Sequence, residues 1–155
     1  MAVDQERSTI LFQEFEAKTG GRFDTLDITP EVLDVVRASG TSNGNVLIFS
    51  PHTTCCVLVA GAAASTRATI EQLAGQVAPE DAYYAHDDLD IRTENLVENE
   101  LPNAPAHLTH IFLGKASECI PIIEGELALA KDARILFVEL DSSRQRRYCV
   151  QVMGE

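Results

Sequence analysis

Residues 46–59 read VLIFSPHTTCCVLV, and this stretch constrains the fold more than any other. Two runs of β-branched and large apolar side chains flank Ser50, Pro51, His52, Thr53 and Thr54. Each run suits a buried strand, and the first carries no charge, which predicts a central position in a sheet. The chain must therefore turn a corner between two core strands and place an imidazole there. A single histidine beside apolar residues usually serves as a hydrogen-bonded structural group, so any chemistry at His52 depends on partners elsewhere.

The neighbouring segments extend the β pattern. Residues 8–16 (STILFQEFE) and 22–28 (RFDTLDI) alternate near period two and are joined by Thr19-Gly20-Gly21, which predicts a hairpin. Thr29 as N-cap, Pro30 at N1, an apolar face of Val32, Leu33, Val35 and Val36, and Gly40 as terminator predict a helix. A second helix is expected over 62–77, and APAHLTHIFL suits a third with Pro105 in its first turn, a strand being the alternative. ECIPII, ELAL, RILFVEL and RRYCVQVM read as short strands at the C-terminal end. Between the second and third helices, residues 79–103 form a long polar segment expected to be loop with a short helical turn. Strands at both ends with helices between them indicate one α+β domain over 1–155, a largely antiparallel sheet with two or three helices.

A chain of 155 residues can bury a single core. Twenty-four acidic against twelve basic residues give a formal charge of -12, which repels phosphate backbones and anionic lipid and argues against nucleic acid as a partner. No apolar run is long enough to span a membrane, and MAVDQERSTI lacks the features of a secretory signal, so a cytoplasmic protein is expected. Cys55, Cys56, Cys119 and Cys149 show no CxxC spacing and read as reduced thiols.

Four histidines are present, at 52, 86, 107 and 110. His52 marks the corner, His86 opens HDD in the polar segment and His107 follows NAPA. Their separations match no local zinc motif, so they form a site only if the fold gathers three segments. Three neutral imidazoles would suit Zn²⁺ or a similar divalent ion, with Asp87 and Asp88 placed to orient the rings. The competing reading is a solvated acidic loop and a helix-packing histidine. His110 is taken as structural.

Arg144 and Arg146 in DSSRQRRY are two apart and would point the same way in an extended segment. Such a pair could fork a phosphate or carboxylate, with Thr53, Thr54 and Ser50 on the same anion, or it could be an edge-strand charge pair. A nucleophilic Cys55 or Cys56 is disfavoured, because nothing marks either as exposed and electropositive. No P-loop or GxGxxG is present.

In order along the chain, SPHTTCCVLV, YAHDD, NAPAHL, IPIIEGELAL and VELDSSRQRRYCVQVMGE resemble the YjbQ-like family, whose members are described as secondary thiamine-phosphate synthases. The resemblance runs from about residue 8 to the end. It implies a compact α+β homotrimer with a divalent metal, zinc first, held by His52, His86 and His107, and an anion site at Arg144 and Arg146. It also implies a transferase activity joining a pyrimidine pyrophosphate to a thiazole phosphate. The chain departs from the family pattern at Ala60-Gly61, where Asn-Glu is common, and at 130–133, where Gly-Thr-Trp-Gln is common. Those departures leave open a non-catalytic trimeric protein that binds metal and a small phosphorylated metabolite.

Overall fold

The computed structural model describes residues 9–61, 64–96, 98, 101–112 and 114–155. In chain order the elements are β1 (Thr9–Lys18), β2 (Thr25–Asp27), α1 (Thr29–Ser39), β3 (Gly44–Phe49), β4 (Cys55–Gly61) and α2 (Ala64–Val77). They continue with α3 (Ala104–Phe112), β5 (Ser117–Ile123), β6 (Glu126–Leu127), β7 (Ala133–Glu139) and β8 (Gln145–Gly154). Two antiparallel sheets result, one of order β1-β8-β3-β5-β6 and one of order β2-β7-β4. This is the expected α+β architecture, with three helices among the described residues.

The two strands of the opening motif lie in different sheets, so residues 50–54 carry the chain from one layer to the other. The uncharged β3 is central, between β8 and β5, as its composition predicts. Side-chain alternation then divides the interior. Val46, Ile48, Val150, Val152 and Tyr148 of the larger sheet meet Cys55, Val57, Ile135 and Phe137 of the smaller, closed by Val32, Val35 and Val36 of α1. The opposite face of the smaller sheet, with Cys56, Leu136, Val138 and Leu140, packs on Ala106 of α3. β7 is covered on both sides, which explains its almost unbroken apolar run. Where β3 crosses β8, a Cβ on Gly44 would overlap the Met153 carbonyl, so the close approach requires a bare backbone.

Two expectations need correction. The segments before and after Thr19-Gly20-Gly21 do not form a hairpin: β1 pairs with β8 over ten residues, and β2 pairs with β7 in the other sheet. β8 offers β1 a full-length register and a shared apolar face, which outweighs the short local turn. Thr29 does not cap α1 with its side chain, because its hydroxyl accepts the Ile135 N–H at 2.8 Å and ties the helix start to β7. The helix does end on Gly40 in the left-handed region, φ 65°. The described residues of 79–103 form turns and bends without a helix.

Candidate functional site

The corner at 50–54 meets α3 through Thr53 and His107, and the polar segment reaches the start of α3 through His86 and Asp87. His107, in the first half of α3, hydrogen-bonds to the Thr53 backbone. His86 lies against it, with ring centroids 4.7 Å apart at an interplanar angle of 46°. These contacts bring one residue of each of the three predicted segments into one region.

The tautomer of His86 follows from its neighbours. Arg92 Nη1 lies 3.1 Å from His86 Nε2, and a guanidinium can only donate, so Nε2 accepts and Nδ1 carries the proton toward Asp87 Oδ1 at 3.0 Å. Asp87 also accepts the N–H groups of Asn103 and Ala104, each at 2.9 Å. One carboxylate therefore orients the imidazole and caps α3. Burial works against the Asp87 charge, but the His86 ring and these backbone donors outweigh it and hold the carboxyl below its ordinary range. Asp88, the other expected orienting residue, instead accepts the Tyr83 hydroxyl at 2.8 Å.

His52 is held differently. Its Nε2 accepts the backbone N–H of Arg147 at 3.0 Å, which fixes the ring to β8. Burial, then the positive charge of Arg146, lowers its pKa, so the ring favours the neutral form that this acceptor role needs. His107 is lowered too, by burial first and His86 next, against the pull of Asp141. Among the described residues, no group of three or more His, Cys, Asp or Glu is gathered closely enough to hold a metal ion. Of the three imidazoles, His86 and His107 are in contact with each other and His52 is bound to β8. His110 Nδ1 donates to the Cys55 carbonyl at 2.7 Å, the structural role expected of it.

Arg144 and Arg146 do not form a fork. β8 begins at Gln145, so Arg144 precedes the strand and reaches Asp141 Oδ2 at 2.8 Å. Arg146 points between the sheets in line with Tyr148, Val150 and Val152. There it grips Glu139 with Nε to Oε2 at 2.7 Å and Nη2 to Oε1 at 2.6 Å, and donates to Thr54 Oγ1 at 3.1 Å. Thr54 is buried by this contact, whereas Thr53 is exposed and contributes its backbone. Ser50 is buried, with its hydroxyl 3.4 Å from the His52 N–H.

Glu139 is the residue that sequence reasoning missed. It is fully excluded from solvent and faces Cys55 across the β7–β4 ladder. Its carboxylate also accepts the Thr19 hydroxyl at 3.0 Å and the Asp141 N–H at 3.0 Å. A lone acid in the apolar run RILFVEL, on the same face as Ile135 and Phe137, was the available signal. From Asp141 the contacts continue: Asn103 Nδ2 donates to Asp141 Oδ2 at 3.3 Å, and Asn103 leads back to Asp87 and His86. Polar contacts, joined by the ring-to-ring contact of His86 with His107, run from Thr54 through Arg146, Glu139, Asp141, Asn103, Asp87, His86 and His107 to Thr53. A cleft of about 340 Å³ adjoins these contacts, lined by Arg22, Glu80, Asp87, Asn103, Leu140 and Asp141 among others.

The family model "UPF0047 protein YjbQ-like" matches residues 13–155. A UPF0047 protein of Methanothermobacter thermautotrophicus is 34% identical over 92% of this chain and 92% of its own length. UPF0047 protein YugU of Bacillus subtilis is 27% identical over 93% of this chain and the whole of that protein. The crystal structure of a "YbjQ-like protein of unknown function" from Sulfolobus solfataricus superposes with a TM-score of 0.83 at 29% identity, covering 96% of this chain and 100% of that one. A hypothetical protein from Aeropyrum pernix gives a TM-score of 0.79 at 30% identity, covering 94% and 99%. Sequence and fold agree over nearly the whole length, and the chain belongs to the YjbQ-like UPF0047 family.

Proposed function

We propose that this protein binds a divalent metal, zinc in the first instance, and acts on small phosphorylated substrates in a reaction of the secondary thiamine-phosphate synthase type. The observation that carries the metal reading is the Asp87–His86–His107 arrangement. A carboxylate holds the Nδ1 proton of His86, and the Nε2 lone pair already engages a cationic group, the Arg92 guanidinium. That donor chemistry fits a late divalent ion, and the His107 ring supplies a second nitrogen nearby. His52 would complete the set only by releasing the Arg147 N–H. When bound, such an ion supplies neutralisation of anionic oxygen.

The resemblance-based reaction breaks the carbon–oxygen bond to pyrophosphate as the thiazole nitrogen forms a new carbon–nitrogen bond. Arg144, half-exposed and held by Asp141 and the Ser142 hydroxyl, is the guanidinium this reading assigns to an anion, and Thr53 is exposed at the corner. Arg146 is committed to Glu139 and serves the corner instead. Metal content after purification without a chelating tag tests the first claim. Near-stoichiometric zinc that falls in a His86→Ala/His107→Ala variant supports it, and uptake far below one ion per chain in the unaltered protein overturns it. Pyrophosphate release from the two substrates tests the second.

A second reading, a binding protein without turnover, is favoured by Ala60-Gly61 and by the 130–133 segment, which lack the acid and amide common in the family. Stabilisation by phosphorylated metabolites without product would select it. Two further assignments accompany either reading. The outward face of the larger sheet exposes Ile10, Phe12, Phe49 and Ile123, a pattern that supports self-association, here as the homotrimer; light scattering decides it. Four unpaired cysteines support a reducing, cytoplasmic location.

A further inference from the structure

We infer that Arg92 is an internal competitor for the metal: its guanidinium occupies the His86 nitrogen that a cation would take, so metal entry requires its displacement. The inference rests on the metal reading above and deepens it.

His86 Nδ1 is committed to Asp87, the residue that also caps α3, so only Nε2 is available to a ligand. That nitrogen has a single lone pair, and Arg92 Nη1 sits on it at 3.1 Å. An imidazole nitrogen cannot accept an N–H and bind a metal at the same time. Electrostatics oppose the combination as well, because a divalent ion on Nε2 would lie within a few ångströms of the guanidinium charge.

Arg92 is not a passing contact. The same Nη1 donates to the His86 carbonyl at 2.7 Å, so one guanidinium nitrogen clasps both backbone and ring of the residue six positions earlier. The backbone assists, since Arg92 N–H donates to the Asp88 carbonyl at 2.9 Å and closes the turn that brings the side chain back. The polar segment thus carries both a candidate ligand and the group that blocks it. Only molecules in which the clasp has opened can bind through His86, and apparent affinity falls in proportion to their fraction.

Zinc titration of the full chain against a chromophoric chelator tests this, using the unaltered protein, Arg92→Ala, His86→Ala and Arg92→Ala/His86→Ala, with thermal unfolding of each. Arg92→Ala is expected to bind zinc about tenfold more tightly than the unaltered protein, the scale of releasing one charge-assisted hydrogen bond. The gain should vanish when His86 is also replaced. Arg92→Gln, whose uncharged side chain is too short to hold the same place, should behave as Arg92→Ala and stands in for it if the alanine variant is unstable. Stoichiometric zinc on the unaltered protein with equal or weaker binding by both arginine variants overturns the inference and leaves the metal reading in place. Absence of binding by unaltered and Arg92 variants alike overturns both.

Discussion

Glu139 and Arg146 meet as a bidentate pair between the two sheets, at 2.6 and 2.7 Å, with the carboxylate wholly removed from water. The pair lies where four segments converge: the corner and β4 through Thr54 and Cys55, β7, β8, and the turn after β1 through Thr19. Five donors satisfy the carboxylate, which is what makes a buried charge tolerable in an apolar layer. Through Thr54 on one side and Asp141 on the other, it joins the His52 corner to the residues around His86.

Removing one member should therefore cost more than removing both. Glu139→Ala strands the guanidinium in the interior and is expected to destabilise by about 3–5 kcal/mol, whereas Glu139→Leu/Arg146→Met should recover much of that loss. Urea unfolding of the three proteins reads the difference. A Glu139→Ala cost below about 1 kcal/mol, the range of exposed pairs, would mean the pair is not the junction described.

Asp87 makes an acid-range prediction. Its folded pKa lies below the ordinary 3.8, through the His86 ring and the Asn103 and Ala104 N–H groups. The sign follows from linkage: its contribution is present above 3.8 and is lost as pH falls through the depressed folded value. Asp87→Asn should consequently show a shallower decline of melting temperature below that point. At neutral pH, Asp87→Ala should cost about 1 kcal/mol, the scale of a lost helix cap. An unchanged acid limb would remove Asp87 from its place at the start of α3.

The thiols differ by environment. Burial, then the Glu139 charge, pushes the Cys55 thiol far up, and burial pushes Cys56 up to about 12. Neither should react with iodoacetamide in the folded protein at neutral pH, while the exposed Cys119 is modified first. Peptide mapping by mass spectrometry checks the order. Rapid alkylation of Cys55 would revive the nucleophilic-thiol reading that its surroundings oppose.

Much of the fold was legible because it is written in local patterns. The apolar runs at 46–49 and 55–59, the Pro30 and Gly40 limits of α1 and the C-terminal strands depend on side-chain period and backbone geometry within a few residues. The partners of β1 and β2 were not legible. Thr19-Gly20-Gly21 supplies a turn, but pairing is decided by which distant strand offers matching length and a shared buried face, and β8 and β7 offered both.

By itself, the sequence determined an antiparallel α+β chain with an imidazole at the corner between two core strands, and it named the three histidine-bearing segments. Tertiary structure decided their commitments: His86 to Asp87 and Arg92, His52 to the Arg147 N–H, Arg146 to Glu139. The physical reason is that a polar group removed from water must find a partner wherever the packing of remote segments supplies one, and spacing along a chain carries no record of that choice.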